Sequence, residues 1–312
     1  MATEMQSNVQ PGHGSALHTR NGHHLKYILL PLLVSMIWGG TFIVVQRAVS
    51  LSGPFTFLAL RFGIGTLILA LFSYKRLRRI TRLELISGSC IGVILFAAYA
   101  LQTVGLQFMT SSKAAFITGL YVPFVTILSV LLLRQRPTLA ALVGVLLSFL
   151  GLTLLSVNDQ LTLTFGLGEA LMLGCAVANA LHVVSISKFA ARSDALNQTI
   201  IQMGMTALLS VIAMPLAGER FVSPDWTVWL AALAMGLIAT AFCIAVMNWV
   251  QKFLSSTQAT LIYALEPVWA AIIGGVIGEP MSIPTIIGCG AIFLGMIVGE
   301  LDLGRFKRRK SG

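Results

Sequence analysis

Glu266 is the residue of this sequence best placed to do chemistry, because it interrupts an apolar run between Leu265 and Pro267, in a stretch that opens at Ser255-Ser256-Thr257 and closes at Gly295. It lies about ten residues into a helix and so roughly 15 Å deep at roughly 1.5 Å per residue, near the middle of a bilayer. An ionisable side chain at that depth is costly and by default functional. Tyr263 and Ala259 precede it at i−3 and i−7, and Trp269 and Ala270 follow at i+3 and i+4, so one helical stripe carries acid, aromatic rings and small residues. Such a carboxyl suits two tasks, carrying a driving proton or pairing with a substrate amine. A structural alternative is a partner for backbone groups freed beside Pro267.

Other polar side chains pair at helical spacing in otherwise apolar segments: Tyr99 with Gln102, Thr118 with Tyr121, and Asn179 with His182, with Cys175 one turn earlier. Each pair could line a chamber or bond two helices together, a contact worth on the order of 1 kcal/mol in a membrane. His182 is the natural second titrating group. Trp38, beside Gly39-Gly40, sits too deep for the interfacial belt that suits Trp226 and Trp229, and reads as close packing or as an aromatic cavity wall. Arg61, about seven residues from the end of its segment, is expected to snorkel to the surface; the alternative is an anchor for a substrate carboxylate.

The elements that must position these residues follow from composition. Over 312 residues, 56% hydrophobic and 10% charged with mean hydropathy +0.87 exceed what a water-facing surface tolerates, so the chain is a polytopic membrane protein. Breaks at charged, proline and glycine residues give ten spans, about 27–46, 54–74, 84–106, 111–134, 138–157, 166–187, 197–216, 226–248, 256–278 and 283–300, each near the roughly 20 residues that cross a bilayer. The first span is expected to be retained, not cleaved as a signal peptide. Residues 1–26 are expected to be a disordered tail, with His13, His18, His23 and His24 as solvated side chains.

The net charge of +10 comes from lysines and arginines between the spans. With the N-terminus inside, seventeen of the 21 fall in inner segments and only Arg47, Lys113 and Arg220 in outer ones. That bias puts both termini in the cytoplasm. The partner of this charge is expected to be an anionic inner leaflet, not nucleic acid. Cys90, Cys175, Cys243 and Cys289 stand apart and read as packing residues. With no metal-ligand spacing and no Gly-x-Ser-x-Gly turn, an enzyme, a metal and a cofactor are not expected.

The sequence is written twice. Ser111, Ser112, Ala115, Pro123, Gly144, Phe149 and Gly151 recur 144 residues later as Ser255, Ser256, Ala259, Pro267, Gly288, Phe293 and Gly295, and Gly92 and Ala97 as Gly236 and Ala241. At an offset of 141, Arg61-Phe62-Gly63 falls on Gln202-Met203-Gly204, and Trp38-Gly39-Gly40 on Asn179-Ala180-Leu181. Val122 holds the place of Glu266 in the first copy. Five spans per copy is an odd number, so the second copy enters the bilayer inverted, the design of secondary transporters. Pro123 and Pro267 mark matching helix breaks.

These halves, with Trp38-Gly39, Leu60-Arg61-Phe62, Leu265-Glu266-Pro267 and Gly278-Glu279, resemble the EamA-type branch of the drug/metabolite transporter superfamily over about residues 27–300. One departure is Gln135 where the second copy has Glu279. The resemblance implies an all-α bundle of ten transmembrane helices in two inverted five-helix repeats, 27–157 and 166–300, joined by an external linker, 158–165, and followed by a basic tail, 301–312. It implies a central cavity lined mainly by spans 1, 3, 4, 6, 8 and 9, and export of a small metabolite such as an amino acid. Function is thus expected to be alternating-access transport by a monomer in the inner membrane, with proton coupling through Glu266. The alternatives are an uptake permease, a facilitative channel and a membrane scaffold.

Overall fold

Backbone in an apolar segment has no water to bond and must close its hydrogen bonds within the segment. The computed structural model describes residues 15–109, 111–156, 166–220, 225–277 and 283–301, and among these the regular elements are all helices, with no strand. The first half comprises α1 (Ser15–Gly39), α2 (Thr41–Ser52), α3 (Pro54–Phe72), the short α4 (Tyr74–Leu77), α5 (Arg82–Gly105), α6 (Ser111–Gly119), α7 (Tyr121–Leu133) and α8 (Leu139–Ser156). The second comprises α9 (Leu167–Phe189), α10 (Ala195–Leu216), α11 (Trp226–Ala234), a π-helical stretch Met235–Phe242, α12 (Cys243–Val250), α13 (Ser256–Tyr263), α14 (Glu266–Ile277) and α15 (Ile283–Leu301).

Five continuous segments, 54–72, 82–105, 167–192, 195–216 and 226–250, are long and apolar enough to cross a bilayer, and Lys26–Gly39 with Thr41–Ser52 makes a sixth, bent by 40°. The helical stretches 117–133, 139–154 and 286–298 are apolar but shorter. The expected spans 111–134 and 256–278 are each broken, at Leu120 and at Ala264-Leu265. Each break precedes a proline, whose missing N–H and ring clash disrupt the turn before it. The helix of the first span begins at Ser15, inside the stretch 1–26 read as a tail. No proline follows Pro11 until Pro31, so the helix of the first span can propagate backward at little cost per residue. Residues 1–14, the linker, Glu279 and the tail after Leu301 lie outside the described residues.

The repeat is visible as packing. A Cβ placed on Gly151 would meet the Gly288 carbonyl oxygen at 2.6 Å, and one on Gly295 would meet that of Gly144 at 2.6 Å. Gly151 plus 144 is Gly295 and Gly288 less 144 is Gly144, so the repeat exchanges the two partners and α8 and α15 meet through a reciprocal contact of bare backbone. The same relation recurs elsewhere: a Cβ on Gly92 would lie 2.8 Å from the Gln202 oxygen, and one on Gly236 would lie 2.6 Å from the Arg61 oxygen. Glycine and other small residues let membrane helices approach this closely. Outward faces carry exposed leucine, isoleucine and phenylalanine, among them Leu67, Leu71, Phe72, Leu131, Leu139 and Ile283, as a lipid-facing surface requires.

Two acidic clamps tie helix ends together. Glu84 joins the capping box of α5 with Thr81 and also accepts from the Asp194 backbone N–H (2.7 Å) and from Asn197 Nδ2 (3.3 Å) at the start of α10. Glu219, just after α10, accepts from the backbone N–H groups of Phe55 (3.0 Å) and Thr56 (2.8 Å) and from the Thr56 hydroxyl (2.8 Å) at the start of α3. Removing a helix cap costs about 1 kcal/mol. Glu219→Ala is therefore expected to lower the melting temperature in detergent by a few degrees; an unchanged melting temperature counts against the clamp.

Candidate functional site

The broken helices converge. At the break between α1 and α2 the Thr41 hydroxyl donates to the Trp38 carbonyl (2.8 Å), satisfying a group the bend releases. Opposite lies the start of α14: a Cβ on Gly39 would stand 2.7 Å from the Glu266 carbonyl oxygen and 2.8 Å from Trp269 Cβ. Only glycine permits that approach, and it fixes the backbone of Glu266 against the first span.

Around this junction is a cavity of about 60 Å³ lined from α1, α2, α3, α5, α6, α7, α9, α12, α13 and α14. At roughly 10–15 Å³ per water it holds a few molecules. Of the candidates from the sequence, Trp38, Tyr99, Gln102, Thr118, Tyr121, Asn179, His182, Tyr263 and Glu266 all line it. Thr41 and Arg61 join them. Pro123 and Pro267 stand in the first turns of α7 and α14 just after the breaks, outside the lining.

Trp269 is the exception. Its Nε1 donates to Ser35 Oγ (3.1 Å) on α1, so it locks helices and does not face the cavity.

Trp38 does both tasks considered for it. It walls the cavity, 5.5 Å from the Tyr263 ring, and its Nε1 donates to the Ala239 carbonyl (2.8 Å) inside the π-helical stretch. Arg61 corrects the snorkelling expectation. It is 2% exposed, its Nε donates to Thr240 Oγ1 (2.5 Å) in that same stretch, and its guanidinium lies 5.0 Å from the Tyr99 ring and 5.7 Å from that of Phe62. The π turn thus holds two cavity side chains at once, as such turns do at functional sites. Spacing carries no signal for it.

His182 Nε2 and Gln202 Oε1 are 2.7 Å apart, and an amide oxygen accepts, so the imidazole donates. Asn179 Nδ2 donates to Cys175 Sγ (3.2 Å). Thr118 Oγ1 and Tyr263 Oη, both buried in the lining, have no hydrogen-bond partner among the described residues. Buried polar atoms are rarely left unmatched, so these two suit the cavity's contents. Glu266 likewise has neither a hydrogen bond nor an ion pair among the described residues; the ion pair there is Arg76 with Asp194, at 3.2 Å.

Two repeated helical halves, several membrane-length apolar segments and a polar cavity between the halves define a multi-pass membrane protein of the transporter class. The profile of the EamA-like transporter family matches residues 25–157 and again 166–298, and the chain belongs to that family. It is 31% identical over 273 residues to an uncharacterized transporter of Archaeoglobus fulgidus, covering 86% of this chain and 84% of that one. It is 26% identical to the uncharacterized transporter YyaM of Bacillus subtilis, covering 89% and 94%, and 25% identical to YoaV of the same organism, covering 92% and 99%. A crystal structure at 23% identity shares the fold with a TM-score of 0.71, covering 90% of this chain and 98% of that one.

Proposed function

We propose that this chain is a secondary transporter that moves a small metabolite, an amino acid or related compound, across the inner membrane by alternating access. One observation carries the reading: the polar cavity lies where the two halves meet, at helix breaks, and takes its lining from both. Rocking one half against the other would open such a site to each side in turn. Ten spans, two inverted repeats of 27–157 and 166–300, cytoplasmic termini, an anionic inner leaflet as lipid partner and action as a monomer complete the proposal. Glu266 is its proton or amine site, and export its direction.

Untargeted metabolite profiling of cells and medium, with and without overexpression, tests it. Accumulation of a solute in the medium is the expected result; depletion from the medium reverses the direction, and no change in any solute ends the reading. Topology is tested separately by single cysteines beside Arg79 and Asp159, which are expected to be labelled from opposite sides. Labelling of both from one side overturns the ten-span arrangement.

A further inference from the structure

A buried arginine is expensive in hydrocarbon and is kept where it pairs with something. Arg61 has no carboxylate partner: among the described residues no acid lies within ion-pair distance of it. Glu266 shares its cavity but makes no ion pair with it. What surrounds Arg61 orients the guanidinium and leaves its charge uncompensated. Thr240 accepts from Nε, and the rings of Tyr99 and Phe62, themselves packed edge to face at 4.9 Å, present π surface to it. Behind it the backbone cannot yield, because the Arg61 carbonyl oxygen lies against Gly236. Arginine is a rigid planar fork whose remaining donors match a carboxylate bidentately.

We infer that Arg61 is the anion-recognition residue of this cavity, receiving a carboxylate of the transported solute. Held by Thr240 and the two rings, the fork is set before the solute arrives, so little ordering is lost on binding. The unpartnered hydroxyls of Thr118 and Tyr263 offer further hydrogen bonds to the same solute. The inference rests on the transporter reading and narrows its substrate: the solute carries a carboxylate, whatever else it carries.

The test takes the solutes whose distribution overexpression changes and measures uptake of each, and of its carboxamide analogue, into proteoliposomes holding the full chain. Each such solute is expected to contain a carboxylate. Arg61→Lys keeps the charge but loses the fork, and is expected to raise KM for the carboxylate about tenfold or more, the worth of a charge-assisted bond, and KM for the carboxamide by far less. Thr240→Val, which leaves Arg61 in place without its orienting acceptor, is expected to raise KM for the carboxylate in the same direction by less. A packing role for Arg61 would depress both solutes alike.

Solutes without an anionic group overturn the inference while the transporter reading stands, as does an Arg61→Lys protein that handles acid and amide with wild-type KM. Solutes whose anion is a phosphate in place of a carboxylate overturn the carboxylate assignment. If Arg61→Lys does not fold, Thr240→Val decides alone, and equal effects on acid and amide overturn the inference. No change in any solute removes both readings together.

Discussion

In proteoliposomes under an imposed pH gradient, Glu266→Gln is expected to fold as the wild type does and to lose gradient-driven accumulation, falling to the level measured without a gradient. The substitution is nearly isosteric and removes the only function a glutamine cannot copy, the gain and loss of a proton. No hydrogen bond or ion pair in the described residues depends on the Glu266 side chain, so neutralising it breaks no contact. Glu266→Ala is expected to melt close to the wild type for the same reason, and the N–H groups at the break, which a carboxylate there would otherwise accept from, have backbone partners: Ala264 N–H donates to the Thr260 carbonyl (2.8 Å) and Leu265 N–H to that of Ile262 (3.2 Å). Gradient-driven transport at the wild-type rate by Glu266→Gln ends the coupling role, and His182 becomes the next candidate.

The second large effect belongs to α15 and is read as thermal stability. Gly295→Ala puts a methyl group 2.6 Å from the Gly144 carbonyl oxygen, 2.7 Å from Ser148 Oγ and 3.1 Å from the Ser148 nitrogen, so the obstacle is backbone as well as side chain and α8 must move away. Overpacking of this kind costs about 1–3 kcal/mol. Gly290→Ala, five residues earlier in the same helix, meets nothing within 4 Å. There the gain of about 0.5–1 kcal/mol from replacing glycine in a helix is unopposed. The two proteins are expected to melt on opposite sides of the wild type. Equal melting temperatures would mean that α8 and α15 do not touch through these glycines.

The same contact explains what the sequence made readable. Where two backbones meet, only small side chains fit, so Gly144, Gly151, Gly288 and Gly295 keep a constant offset while the lipid-facing residues around them vary. Polar pairs such as Tyr99 with Gln102 and Asn179 with His182 were legible because a polar residue in an apolar helix stands out and helical spacing assigns it a face. Trp269 lies apart from the cavity lining for a geometric reason. A stripe through Tyr263, Glu266 and Trp269 assumes one continuous helix, and the break at Ala264-Leu265 puts Tyr263 on α13 and Trp269 on α14, where the face turns toward Ser35. The reading of Arg61 failed for another. Its distance from the end of its segment allowed snorkelling, but Thr240, 179 residues away in sequence, and the Tyr99 ring decide its position. Nothing near Arg61 announces either.

Neither α8 nor α15 contributes a residue to the cavity. They pack closely on each other through their glycines, and Leu139, Leu146, Ile286 and Leu294 are exposed on their outer faces, as a lipid-facing surface requires. A change on that seam, such as Gly295→Ala, therefore reaches stability without altering any side chain that lines the cavity.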